Sequence, residues 1–139
     1  MGTLYGFLKE NVEVVENEKF VLSNKFKDEN GKELQFEIRP LTEKEVSNIR
    51  KACTKRIKTK SGVQEEIDSV LMANKMIVES VVFPPFKSEE LQKSYSVIGA
   101  EELVQTMLTS GEYAKLISKI EEICGYDEDM EDLIEEAKN

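Results

Sequence analysis

From Leu34 to Arg39 the side chains alternate: Leu34, Phe36 and Ile38 are apolar, while Gln35, Glu37 and Arg39 are polar. A period of two marks a strand with one buried face. Phe20–Phe26 reads as its partner, and the Asp28-Glu29-Asn30-Gly31 turn between them is a strong hairpin signal. A lone hairpin is marginal in water, so its apolar face must rest on helices.

After Pro40 the period changes. Thr42 with Glu45 three residues on forms a capping box, and Val46, Ile49, Cys53 and Ile57 follow at helical spacing. The outer face of this predicted helix carries Arg50, Lys51, Lys55, Arg56, Lys58 and Lys60, and Lys60-Ser61-Gly62 breaks it. A second helix is predicted over Gln64–Val82, with Ile67, Val70, Leu71, Asn74, Ile77, Val78 and Val81 on its apolar face. Pro84 and Pro85 stop it. Ser88 then caps a short helix over Glu89–Tyr95, and Gly99 or Ala100 opens another carrying Leu103, Val104, Met107 and Leu108. Thr109 and Glu112 form a second capping box, and the helix they start ends at Gly125.

The predicted fold is therefore α+β and mainly α: an N-terminal β-hairpin (about 20–39) followed by a compact array of five or six short helices (about 42–124). Residues 1–126 form one domain, and 127–139 an acidic tail or a weakly held helix. Residues 1–19 read equally as a docking arm, a short helix or an extra strand. The expected core is Phe36, Ile38, Val46, Ile49, Ile67, Leu71, Ile77, Leu103, Leu116 and Ile120.

Charge and candidate chemistry narrow the function. The net charge is −9, and residues 71–139, with six basic and fifteen acidic side chains, account for it. A phosphate backbone is repelled by such a surface. The basic stripe from Arg50 to Lys60 has no interleaved aromatics, so a solvated face or a dock for an acidic protein partner outweighs nucleic acid. No apolar run is long enough for a membrane helix, and the first residues lack a secretory pattern.

The chain has no histidine, which excludes serine–histidine and cysteine–histidine nucleophile pairs. Cys53 and Cys124 are too few and too far apart for a disulfide framework or a zinc site, and read as thiols in a reducing compartment. Asp127, Asp129 and Glu131 fail the calcium-loop pattern, because Asp132 and Lys138 stand where glycine and glutamate are needed. Catalytic, metal and cofactor-binding residues are all expected to be absent. What remains is apolar: Val81-Val82-Phe83-Pro84-Pro85-Phe86, and Met107, Leu108, Tyr113 and Leu116 further on. These are either core or the lining of a groove that captures a helix or extended segment.

From Leu91 to Gly125 the chain resembles the XkdN-like family of phage tail assembly chaperones, found in phages and defective prophages of Gram-positive bacteria. The residues that carry the resemblance are Leu91-Gln92, Tyr95, Val97, Gly99-Ala100, Glu102-Leu103, Met107-Leu108, Gly111-Glu112-Tyr113-Ala114, Leu116 and Gly125-Tyr126. The Phe36–Leu41 strand end and the Phe83-Pro84 break fit as well, so it spans about residues 15–126. Ser96 departs from the pattern, since relatives often place glycine there.

The resemblance implies a non-enzymatic protein of the bacterial host cytoplasm, absent from the mature virion. Such a protein transiently binds the tape measure protein and keeps it soluble before the tail tube polymerises. Its further expected partners are the tail tube protein and copies of itself, with no nucleic acid and no membrane. Val82, Phe83, Phe86, Tyr95, Met107, Leu108 and Tyr113 are the expected client contacts; Arg50, Lys51, Lys55, Arg56, Lys58 and Lys60 are the expected electrostatic dock. The alternatives are a structural or adaptor protein of a phage tail complex, and a nucleic-acid-binding regulator.

Overall fold

A computed structural model describes residues 3–126; the acidic segment over 127–139 lies outside the described residues. Two short 3-10 turns, Thr3–Phe7 and Lys9–Asn11, precede strand β1 (Glu18–Phe20). Then come β2 (Phe36–Ile38), α1 (Glu43–Ala52), β3 (Thr54–Thr59), β4 (Gly62–Ile67), α2 (Ser69–Ser80) and β5 (Val81–Phe83). Helices α3 (Glu89–Ser94), α4 (Ala100–Met107) and α5 (Ser110–Ile123) complete the described chain.

The main sheet is antiparallel with order β1-β2-β5. Glu18 faces Ile38 and Phe20 faces Phe36, while Val81 faces Ile38 and Phe83 faces Glu37 across a bulge. The buried face of this sheet carries Phe36 and Ile38, which pack with Ile77, Phe86, Leu103, Val104, Leu116 and Ile120 from the helices.

The predicted first strand is shorter than expected and begins earlier. The Asp28–Gly31 turn is present: Asp28 Oδ1 accepts from the Asn30 and Lys32 amides at 2.8 and 2.9 Å, and Gly31 takes φ 82°. Between Phe20 and that turn, however, the chain leaves the sheet. Leu22 drops into the core, and its carbonyl accepts from Lys115 Nζ on α5 at 3.4 Å. Burial of Leu22 outweighs the ladder bonds a straight strand would have made.

The long basic helix does not form. The helix ends at Ala52, Cys53 caps it, and the chain turns into a second hairpin, β3–β4. Thr54, Ile57, Thr59, Val63 and Ile67 favour extended backbone. The pairs Lys55↔Glu66 and Arg56↔Glu65 face one another in register, which favours this pairing. Lys60-Ser61-Gly62, read as an interhelical break, lies at the hairpin turn, with Gly62 at φ 125°.

The second predicted helix is correspondingly trimmed at both ends. Asp68 caps α2, its Oδ1 accepting from the Leu71 amide at 3.0 Å. That bond holds the Asp68 carboxyl below its ordinary range, helped by Lys55. At the other end Val81–Phe83 joins the sheet, because the residue before Pro84 avoids helical backbone. Two expected core positions are corrected: Ile67 lies on the exposed hairpin, and Leu71 is only half-buried. The other eight are buried.

The smaller predicted helix starts are all found. Ser88 caps α3, Gly99 precedes α4, and Thr42 and Thr109 make complete capping boxes with Glu45 and Glu112. Each box glutamate also meets a cation from earlier in the chain. Arg39 Nη2 reaches Glu45 Oε2 at 2.6 Å, and Lys25 Nζ reaches Glu112 Oε1 at 2.7 Å. These pairs tie the stretch after β1, at Lys25, and the residue that follows β2, Arg39, to the first turns of α5 and α1.

Candidate client groove

The apolar stretch around the two prolines splits into two roles. Val81 is buried and points to the helices, whereas Val82 and Phe83 are 44% and 48% exposed. Successive residues of a strand face opposite ways, but the bulge beside Glu37 breaks that alternation and leaves Phe83 half out. The Phe83-Pro84 peptide is cis. Phe86, 2% exposed, returns to the core. Its carbonyl accepts from Gln92 Nε2 at 2.9 Å, and the Gln92 side-chain oxygen accepts from the Gly99 amide at 3.0 Å. Gln92 thus fastens the segment after the prolines to the start of α4.

An open groove of about 430 Å³ lies beside Phe83. Its walls include Phe26, Leu34, Phe36, Phe83, Pro84, Pro85, Leu91, Tyr95 and Met107, and Glu90 is the one charged residue among the described lining. The volume falls in the range of ordinary ligand clefts, about 300–1,000 Å³. A second hollow of about 450 Å³ carries more charge on its wall, where Lys75 pairs with Glu101 and Lys87 with Glu79. Those charges are already satisfied.

Of the expected client contacts, Phe83, Tyr95 and Met107 meet in the groove, and Val82 lies exposed next to Phe83. Three are corrected as surface contacts. Phe86, Met107 and Leu108 are buried, with Met107 reaching the groove only as its floor. Tyr113 stands elsewhere: it lines a separate hollow with Val70 and Leu108, and its hydroxyl donates to Asn74 Oδ1 at 2.8 Å. Phe26, Leu34 and Leu91 were not singled out by sequence as contacts, whereas Pro84 and Pro85 belong to the apolar stretch that was. Leu34 sits at the exposed end of the alternating run, just outside β2, which was the one available signal.

The expected electrostatic dock is also rearranged. Arg50 and Lys51 lie on α1, Lys55, Arg56 and Lys58 on β3, and Lys60 in the hairpin turn. They do not share one helix face. Arg50 and Lys55 pair with Glu43 and Asp68 at 3.9 and 3.3 Å.

The two cysteines sit in different settings. Cys53 is buried, and burial pushes its thiol pKa up, away from the reactive thiolate. Cys124 Sγ accepts from the Leu41 amide at 3.4 Å. Among the described residues no three His, Cys, Asp or Glu side chains cluster as metal ligands do. No described helix is long and apolar enough to cross a membrane.

The fold and groove define a small α+β module with an open apolar cleft and no assembled reactive group among the described residues. The family model of the phage XkdN-like tail assembly chaperone protein matches residues 4–138. The chain belongs to that family. It is 33% identical over 124 residues to the phage-like element PBSX protein XkdN of Bacillus subtilis (strain 168), covering 87% of this chain and 83% of XkdN. It is 35% identical over 121 residues to YqbN of the same strain, covering 85% of this chain and 80% of YqbN. The crystal structure of YqbN superposes with a TM-score of 0.76 at 26% identity, covering 91% of this chain and 99% of that one.

Proposed function

We infer that this chaperone acts on the tape measure protein of the tail, holding it soluble until tail tube subunits replace the chaperone. The observation that carries the reading is the groove. Half-exposed Phe83 stands beside two prolines in a groove it shares with Leu91 of α3 and with Tyr95, the residue that caps that helix. An uncovered apolar patch invites association, and a groove of this kind suits the apolar stripe of a helix.

The mode of action is non-covalent and consistent with the bland chemistry of the site. Each groove contributes a modest affinity, so a polymerising tube can displace it. Many chaperones along one long client supply avidity. The net charge of −9 keeps coated clients apart. Val82, Phe83 and Tyr95 are the surface contacts in this reading. The protein works in the host cytoplasm and leaves before the virion is complete.

Co-expression tests this. The tape measure protein should be soluble with the wild-type chaperone and aggregate with Phe83→Ser plus Tyr95→Ser. Equal solubility with a folded double variant would reject the groove as the client site.

A further inference from the structure

The groove beside Phe83 is not uniformly apolar, because its α3 side has two rows. Residues four apart on a helix stack one above the other. Leu91 and Tyr95 make the inner row; both are half-buried and pack against the core. Glu90 and Ser94 make the outer row, and both are exposed. The rest of the lining, which includes Phe26, Leu34 and Gln35, brings no charge. An apolar floor with a polar rim is the make-up of a contact surface, and here the rim is acidic.

No ion pair compensates that acid. Among the described residues no cation lies within pairing distance of Glu90. Lys25, next to Phe26 in the chain, is held by Glu112 Oε1 at 2.7 Å and by the Met107 carbonyl at 3.3 Å. Lys87, three residues before Glu90, pairs with Glu79 at 3.2 Å. The one charge at the groove is thus left to whatever enters it.

We propose that the segment this groove takes carries lysine or arginine beside its apolar stripe, and that Glu90 selects it by pairing with that cation. The inference rests on the groove being the client site and names what a client must offer there. It also names what is turned away. The chain's own C-terminal stretch, where Met130, Leu133 and Ile134 stand among acids, has the wrong sign for this rim. A pair at an exposed rim gives discrimination more than tight binding, which suits a chaperone that is later displaced.

Calorimetry with two synthetic amphipathic peptides tests this, with circular dichroism to verify folding of each protein. The peptides are about five helical turns long and share one leucine stripe; its flanks are lysine in one and glutamate in the other. Wild type should prefer the lysine peptide roughly three- to tenfold at low salt, and the preference should narrow as salt rises. Glu90→Lys should remove or invert it. Glu121→Lys, an equal change of net charge at an exposed site on α5 outside the groove lining, should keep it. Phe83→Ser should weaken both peptides alike. A wild type without preference, or a preference that Glu90→Lys and Glu121→Lys change equally, would overturn the selection by Glu90 while leaving the groove as the client site. Binding of both peptides untouched by Phe83→Ser would instead remove the groove reading, and the inference with it.

Discussion

Tyr113 on α5 donates its phenol proton to Asn74 Oδ1 on α2 at 2.8 Å. Asn74 is 5% exposed and lies with Ile77 and Ser80 on the buried face of α2. A buried amide without a partner is costly, so this bond lets a polar residue sit between two packed helices. Tyr113 is thereby a fastener. Burial also pushes its hydroxyl pKa up, which keeps the donor protonated.

Tyr113→Phe should therefore lower stability by about 1–2 kcal/mol, the cost of leaving a buried acceptor unpaired. Client capture should be unchanged. Thermal unfolding and pull-down on the same variant separate the two effects.

Acid should loosen both capping boxes together. The Arg39 hydrogen bond and the Thr42 amide hold the Glu45 carboxyl down at about 2. Burial opposes the charge on Glu112, but Lys25, the Thr109 backbone and the Ser23 and Thr109 hydroxyls outweigh it and hold that carboxyl at about 2. An unfolded glutamate titrates near about 4.3. Both folded values are depressed, so their stabilisation is complete above the unfolded value and is lost as pH falls towards 2. Urea midpoints measured from pH 6 to pH 2.5 should fall, and the fall should shrink in Glu45→Gln plus Glu112→Gln.

Phe83 and Phe86 are three residues apart and should respond oppositely. Phe86→Ala empties a filled core site and should cost about 3–5 kcal/mol. Phe83→Ala, at a half-exposed position, should remain folded with a small loss of stability. A serine at both positions would confound unfolding with lost capture, so the single variants are the informative ones.

Ser96 is held at φ 56°, and is the non-glycine residue of positive φ among those described. It follows α3, where its amide donates to the Lys93 carbonyl at 3.0 Å, in the left-handed position that ends many helices. Ser96→Gly should stabilise the fold by up to about 1 kcal/mol, because a side chain there is strained. Chemical denaturation would detect it; a destabilised Gly variant would contradict the reading.

Local signals carried much of this architecture. Ser88, Thr42 with Glu45, Thr109 with Glu112, and Gly125 mark helix ends through bonds made within a few residues, and all four stand where the sequence puts them. The departure at Ser96 also falls on a left-handed backbone. The β3–β4 hairpin was hidden because Val46, Ile49, Cys53 and Ile57 keep helical spacing across the true boundary at Cys53. Its basic strand was compatible with a helix face until Glu65 and Glu66 were seen opposite it. The groove was half legible. Phe83 and Tyr95 stood out as large apolar groups beside helix breaks, but spacing could not tell them from Phe86, Met107 and Leu108, which tertiary packing buries.

In the function proposed above, the groove beside Phe83 holds an apolar segment of the tape measure protein. Titration of tape measure fragments against wild type and Phe83→Ser, with binding followed by calorimetry, tests it most directly. Burying the exposed half of one phenylalanine contributes about 1–2 kcal/mol, so a folded Phe83→Ser should bind the responsive fragment roughly tenfold more weakly. Equal affinity of the two proteins for every fragment that binds would contradict the account.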